Sequence, residues 1–290
     1  MPELPEVQTI VNDLNQYIPN KKVVNIEIKK KKLIKSDYAG FRKLIIGSSI
    51  KKIERRGKLL IFFLNKPDAF LLIHLKMTGQ LIYENKKKII AGGHSLPKVF
   101  RKDLPGKYTH VIFTFADKSQ LFFNDMRQFG YLKIVNSAKK EEIISAFGIE
   151  PLSSEFNLKK FQEIIKTKKT SVKAILMDQK FIAGIGNIYA DEICFAAKIK
   201  PDRLTSSLKN QEIIFLHQSI KKVLRAAIKH RGTTFSDYLD ASGKKGNYVR
   251  FLKVYQREKM SCPRCKKSVI IKSNNKIAGR GTRYCPKCQK

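Results

Sequence analysis

Residues 58–75, KLLIFFLNKPDAFLLIHL, decide how the first half of the chain folds. Two apolar runs of strand length, Lys58–Leu64 and Phe70–Leu75, are parted by the turn-forming Asn65-Lys66-Pro67-Asp68. Outward from them, Val24, Ile26 and Ile28 alternate on the N-terminal side, and Val111–Phe115 and Leu121–Phe123 form further strands on the C-terminal side. The Ala91-Gly92-Gly93 stretch and Ala116-Asp117-Lys118 supply more turn material. Many short strands at this spacing predict a β-sandwich. Ahead of them, Pro5 suits a first helical position and Val7, Ile10, Val11, Leu14 and Ile18 recur at helical spacing. An amphipathic helix over 5–18 is therefore expected alongside the sandwich.

From about Ala138 the pattern turns helical. Ala174–Met177, Ile188–Ala197 and Ile213–Ile228 carry apolar stripes, broken by Ala183-Gly184-Ile185-Gly186-Asn187 and by Pro201. Residues 232–250 are rich in Gly, Ser, Lys and Asp and read as a mobile loop. The order is a β-rich half, a hinge near 136–150, a helical half and a small terminal module from Cys262.

The chain carries 59 Lys and Arg against 24 Asp and Glu, a net charge of +35. Such a field attracts polyanions and speeds encounter with them. Nucleic acid is the leading partner, and an anionic membrane surface is the competitor. No run approaches the ~20 apolar residues of a spanning helix, and no amphipathic anchor with a strong apolar face is evident. The start, MPELPEVQTI, has no basic stretch followed by an apolar core, so a signal peptide is not expected and the protein is read as cytoplasmic.

Four of five cysteines fall in the pattern Cys262-x2-Cys265…Cys285-x2-Cys288. Two-residue gaps let both thiolates of a pair reach one tetrahedral zinc, and the intervening segment can form a hairpin. Four sulfur ligands close the shell, so one structural Zn2+ is expected. Between the pairs, Lys272, Lys276, Arg280 and Arg283 could face phosphates. Cys194 stands alone on an apolar helix face and reads as core.

At the start, Met1 precedes the small residue Pro2, a context in which the initiator is usually removed, leaving a free secondary amine. An α-amino group has a reference pKa of about 8, so a useful fraction is unprotonated at neutral pH. Its attack on an aldehyde-like sugar carbon gives an iminium that acidifies the adjacent proton and expels the 3′ phosphate. Glu3 could protonate the leaving base or ring oxygen. Alternatively, Pro2 and Glu3 merely precede and cap a helix. The Gly184-Ile185-Gly186-Asn187 turn could bring helix N–H groups to a phosphate, or simply connect two elements.

Taken together, Pro2–Val7 (PELPEV), Arg55–Leu59 (RRGKL), His74–Gly79 (HLKMTG), Arg127–Gly130 (RQFG), Ile182–Ile193 (IAGIGNIYADEI), Leu252–Tyr255 (LKVY) and Gly279–Gln289 (GRGTRYCPKCQ) carry a resemblance. The chain resembles bacterial formamidopyrimidine-DNA glycosylase from end to end. That implies an α+β multidomain architecture: an N-terminal β-sandwich with flanking helices (1–135), a helix–two-turn–helix domain (136–250) with a base-covering loop at 232–250, and a zinc-finger hairpin (251–290), with DNA in the cleft between them. It implies a monomer acting on damaged double-stranded DNA, nucleoid-associated when bound, that excises 8-oxoguanine and formamidopyrimidines and then nicks by β,δ-elimination. By that similarity Pro2 is the Schiff-base nucleophile and Glu3 the proton donor. Lys58 matches the lysine assigned to β-elimination and Arg280 the arginine assigned to δ-elimination. Asn187 matches a phosphate-contacting asparagine, and Tyr108 and Lys168 align with further DNA contacts. Met77, Arg127 and Phe129 match the residues that fill the gap left by an extruded nucleotide.

Departures concentrate near that gap. Where the family often has Asp-Pro-Arg-Arg-Phe-Gly, this chain reads Asp125-Met126-Arg127-Gln128-Phe129-Gly130, and loss of the proline is expected to loosen the loop. Lys76 replaces a usual glycine, and Tyr108 a frequent histidine. Two rivals remain: an endonuclease VIII-like enzyme for oxidised pyrimidines, whose usual start is Pro-Glu-Gly-Pro-Glu, and a non-catalytic zinc-dependent DNA-binding protein.

Overall fold

The computed structural model describes residues 1–86, 88–93, 104–233 and 248–290. The loop expected at 232–250 therefore lies, over 234–247, outside the described residues. The chain divides into two compact units, one of Met1–Ser145 with the segment returning at His230, the other of Ala146–Lys229 with Tyr248–Lys290.

In the first unit, helix α1 (Leu4–Leu14) precedes strand β1 (Val23–Ile28), helix α2 (Tyr38–Ile45) and strands β2 (Ile50–Arg56), β3 (Leu59–Leu64), β4 (Phe70–His74), β5 (Gly79–Asn85), β6 (Lys88–Gly93), β7 (Thr109–Phe115), β8 (Gln120–Asp125) and β9 (Tyr131–Val135). They form two antiparallel sheets, ordered β1-β7-β8-β5-β6 and β2-β3-β4-β9. One apolar core joins the sheets to α1: Val7, Ile10 and Leu14 pack with Leu60, Phe62 and Ile73 of one sheet and Leu81, Phe113 and Phe123 of the other. Each such side chain, fully buried, contributes about 1.5–3 kcal/mol. The expected β-sandwich with a helix against it is what forms.

Three local expectations need correction. The helix ends at Leu14, and two turns carry the chain on to Ile18, which is still fully buried. In β1 the buried residues are Val23 and Ile26, while Val24 is 47% exposed. A register shift between Val23 and Asn25 breaks the simple alternation. Ala91-Gly92-Gly93 is the end of strand β6 and not a turn. Gly92 is small because α1 crosses it: a Cβ there would lie 2.2 Å from Ile10 Cγ1.

Helix α3 (Ser137–Ser145) occupies most of the segment expected to be a hinge, and none of its side chains is buried. The second unit contains α4 (Leu158–Lys166), α5 (Val172–Met177), α6 (Asn187–Ala197) and α7 (Asn210–Lys229). α6 is buried almost all round, from Tyr189 to Phe195, as expected for a helix enclosed by neighbours. A short hairpin, β10 (Ile271–Lys272) with β11 (Arg283–Tyr284), follows. This terminal module is not a separate body. Cys262, Ile270 and Cys285 share an apolar cluster with Phe195 of α6 and with Val254. Buried Gln289 bonds the backbone of Cys285 and Ile199 at 2.8 and 2.9 Å. Among the described residues, no helix is long and apolar enough to cross a membrane.

Candidate active site

In the first unit, Glu3 is the N-cap of α1, and its N–H donates to Glu6 Oε2 at 2.8 Å. The backbone of Glu3 thus serves as a helix cap. Its side chain is nevertheless only 3% exposed, and Pro2 is buried while Met1 is exposed. In the full chain Met1 acylates the Pro2 nitrogen, so the amine exists only once Met1 is removed. The other oxygen of buried Glu6 accepts from the Thr233 N–H (2.7 Å) and hydroxyl (3.1 Å). Glu6 therefore ties the head of α1 to the segment returning at 230–233. The sequence reading did not single out Glu6; a carboxylate inside an otherwise apolar first turn was the available signal.

Lys58, only 5% exposed, sits in the turn between β2 and β3. Arg55 fixes that turn to α1: its Nε donates to Gln8 Oε1 at 2.8 Å and its guanidinium also reaches the Gly57 carbonyl. One strand over, His74 faces Leu59 and Tyr131 in register. Burial, reinforced by the charges of Lys76 and Lys58, pushes the His74 imidazole down to about 3. It is neutral at physiological pH, and because Nδ1 accepts the Lys76 N–H at 3.0 Å, Nε2 carries the proton. His74 thus gives the Lys58 neighbourhood a neutral donor.

Met77 just precedes β5 and the 126–130 loop follows β8, whose adjoining ends place Gly79 opposite Asp125. Met77 is half-buried, Arg127 exposed, and Phe129 is 54% exposed with the Arg127 guanidinium 4.8 Å over its ring. An exposed phenylalanine under a cation is not core packing. The loop, which lacks that proline, is tied down by hydrogen bonds. Fully buried Asp125 accepts from the Gly130 N–H (2.7 Å), the Arg127 N–H (3.2 Å) and the Thr78 hydroxyl. Asp125 is itself held through its backbone by His110 Nε2 at 2.8 Å and by the Tyr108 carbonyl at 3.0 Å. Tyr108 is half-buried beside this brace. Lys76 and Gln128 both sit at positive φ, +49° and +56°, where an L residue is disfavoured. A glycine at Lys76 would be at ease in that conformation.

In the second unit, Asn187 opens α6 directly after the glycine turn. Gln179 holds that turn: its side-chain amide accepts from Gly184 N and donates to the carbonyls of Ile185 and Met177, each at 2.8 Å. Asn187 Oδ1 is buried with no hydrogen-bond partner among the described residues. Lys168 is exposed just beyond α4 and is not brought to Asn187 by any contact described.

Arg280 is exposed on the hairpin, next to a tight turn whose central residues, Ala278 and Gly279, both have positive φ. That is the turn geometry that matches strand twist in two-residue hairpins. Beneath it lies a buried ion pair, Lys173 with Asp191 at 2.8 Å, both fully excluded from solvent. Lys173 Nζ also donates to Gly281 O (2.8 Å) and Thr282 Oγ1 (3.0 Å), and Asp191 accepts the Arg283 N–H at 3.1 Å. Burial pushes Asp191 up to about 7 even beside Lys173. Removing one partner of such a pair generally costs about 3–5 kcal/mol. Arg283 is not offered to phosphates as the sequence suggested. It is half-buried, bonded to Glu258 at 2.7 Å, and lies over Tyr255. Nearby, Glu192 receives three backbone N–H bonds from Lys253, Val254 and Tyr255, all at 2.9 Å, which anchors the LKVY segment to α6.

The four Sγ atoms of Cys262, Cys265, Cys285 and Cys288 lie within 4.8 Å of one another, with Cys262–Cys288 and Cys265–Cys285 each at 3.8 Å. Tetrahedral zinc with Zn–S bonds of about 2.3 Å demands S–S edges of about 3.8 Å. The cysteines are thus positioned to hold one metal ion. Cys194 is fully buried and away from this group, its thiol pushed up by burial.

The family model described as the formamidopyrimidine-DNA glycosylase N-terminal domain matches residues 1–132, and that described as the formamidopyrimidine-DNA glycosylase H2TH domain matches residues 147–238. The formamidopyrimidine-DNA glycosylase of Carboxydothermus hydrogenoformans is 40% identical over 291 residues, covering 100% of both chains. That of Pelotomaculum thermopropionicum is 39% identical over 293 residues, covering 100% of this chain and 99% of its own. Among solved structures, wild-type Lactococcus lactis Fpg in complex with DNA containing N7-benzyl-Fapy-dG gives a TM-score of 0.85 at 33% identity over 100% of both chains. The complex of that enzyme with DNA containing an abasic site gives 0.84 at 33% identity over 99% of each.

Proposed function

Because this chain belongs to the formamidopyrimidine-DNA glycosylase family, we propose that Pro2, Glu3, Lys58 and Arg280 carry out on it the chemistry of that family. The protein is a base excision repair glycosylase that acts on oxidised purines in duplex DNA and has the AP lyase activity of its family. The observation that carries the assignment is similarity over the full length, with Pro2-Glu3 intact at the head of α1.

In this reading the Pro2 amine, freed of Met1, bonds to sugar C1′ as the C1′–base bond breaks, and Glu3 supplies the proton that the departing purine or opening ring oxygen takes up. The resulting iminium draws electrons from C2′, whose proton is lost as the 3′ C–O bond breaks. A second proton loss, from C4′, releases the 5′ phosphate. Lys58 and Arg280 are cations suited to the two departing phosphates, and His74 adds a neutral donor beside Lys58. Asn187, Tyr108 and Lys168 are assigned to the DNA backbone, and Met77, Arg127 and Phe129 to the gap left by the extruded nucleotide. Functionally we divide the chain into a catalytic sandwich over 1–135, a helical DNA-binding part over 136–250 and a hairpin over 251–290.

The metal held by Cys262, Cys265, Cys285 and Cys288 is zinc, with a structural role because all four ligands come from the protein. The enzyme works as a monomer in the cytoplasm, on the nucleoid. Excision of 8-oxoguanine and thymine glycol from matched duplexes tests the substrate class: at least tenfold faster release of the purine, about 1.4 kcal/mol of discrimination, is expected. Faster release of thymine glycol would instead indicate an endonuclease VIII-like preference.

A further inference from the structure

Phe129, Arg127 and Met126 project from the sandwich with little around them. Phe129 is 54% and Met126 42% exposed, and Arg127 is exposed and stacked on Phe129. Apolar packing therefore cannot be what fixes their direction. The fixing is done from below, by one solvent-excluded carboxylate. Asp125 Oδ2 accepts the N–H of Gly130 at 2.7 Å, and Oδ1 accepts both the N–H of Arg127 and the hydroxyl of Thr78. Thr78 Oγ1 in turn accepts the Arg127 N–H at 2.9 Å. Thr78 is itself 5% exposed and sits one residue after Met77, so the brace joins the two segments that carry the three gap-filling side chains. The Arg127 N–H is shared between both braces, which sets where the guanidinium starts.

A guanidinium offers donors only. It pairs with a base edge presenting adjacent acceptors, as cytosine O2 and N3 do, and is mismatched to adenine, whose pairing edge alternates a donor with an acceptor. Discrimination between those bases requires the guanidinium to be held to within a fraction of an ångström. We infer that Thr78 and Asp125 are positioning residues that set, through the Arg127 backbone, which base is accepted opposite the lesion. The inference rests on the assignment of Arg127 to the gap.

The test is single-turnover excision of 8-oxoguanine opposite cytosine and opposite adenine, read as the ratio of the two rates. Thr78→Val keeps the shape and removes the hydroxyl, and the ratio is expected to fall about tenfold. Thr78→Ser, which keeps the hydroxyl, should restore it. Asp125→Asn should lower the ratio too, with thermal melting recorded in each case to account for unfolding. A merely structural role would lower both rates together and leave the ratio alone; that result, or no change in either rate, overturns the inference. Arg127→Ala separates the two levels of the argument. If it leaves the ratio unchanged, the gap assignment of Arg127 falls and the inference with it. If it lowers the ratio while Thr78→Val does not, only the inference falls.

Discussion

Glu3→Gln is expected to slow release of 8-oxoguanine by about 10²–10⁴-fold, the usual worth of a positioned general acid. The substitution conserves size and leaves the backbone bond from Glu3 N–H to Glu6 in place, so α1 keeps its start. What it removes is an exchangeable carboxyl proton at a site only 3% exposed, where water is poorly placed to substitute. A duplex that already contains an abasic site has no base to release. Its nicking should therefore fall far less than excision does. Both rates come from the same labelled strand resolved on a denaturing gel. Equal losses on the two substrates would show that Glu3 acts in the shared lyase steps, or only as a helix cap.

The second large effect is expected at the metal group. Cys285 is fully buried, and its Sγ lies 3.8 Å from that of Cys265. Burial, with the neighbouring cysteines, pushes the Cys288 thiol up to about 12, whereas at Cys262 burial is outweighed by backbone N–H bonds from Cys265 and Arg264, which bring its thiol down to about 7. The four sulfurs lie close enough together to share one metal ion. Structural zinc contributes roughly 10–16 kcal/mol of apparent binding energy to small modules of this kind. Among the described residues, the buried part of the apolar cluster beneath the hairpin is Phe195, Val254, Cys262, Ile270 and Cys285, so it is a weak substitute. Cys285→Ser should therefore lose its zinc and, with it, at least about tenfold in affinity for abasic-site duplex. Zinc by atomic absorption and affinity by band shift measure the two together. Zinc-free protein that binds DNA as tightly as the parent would dismiss the hairpin from the interface.

What was legible in the sequence was what is local. The strand runs at Lys58–Leu64 and Phe70–Leu75, the helical spacing from Val7 to Leu14, and the paired cysteines each express their structure within a few residues. The brace residues do not. Glu6 meets Thr233 across 227 positions, Lys173 meets Thr282 across 109, and Thr78 meets Asp125 across 47. No periodicity announces such pairs; only burial of a charged side chain does, and that appears once the chain is folded. The misreadings have the same origin. Val24 faces out because a bulge shifts the register, and Gly92, paired with Leu81 in a strand, is a glycine because α1 crosses it and not because a turn needs one. Arg283 was counted among the phosphate-facing cations because its partner Glu258 lies 25 residues away.

The resemblance to a known family supplied the identities of Pro2, Lys58 and Arg280, which two or three residues of sequence could not have carried alone. The structure adds the supports beneath them: Glu6 and Thr233 at the head of α1, Arg55 and Gln8 under Lys58, and Lys173 with Asp191 under Arg280.

Borohydride reduction during turnover, followed by mass mapping of the peptide bonded to DNA, addresses the nucleophile itself. The sugar remnant should be found on the N-terminal peptide, on proline nitrogen, in protein from which the initiator methionine is gone. An adduct on a lysine instead, or full nicking activity in protein that retains Met1, would contradict the account.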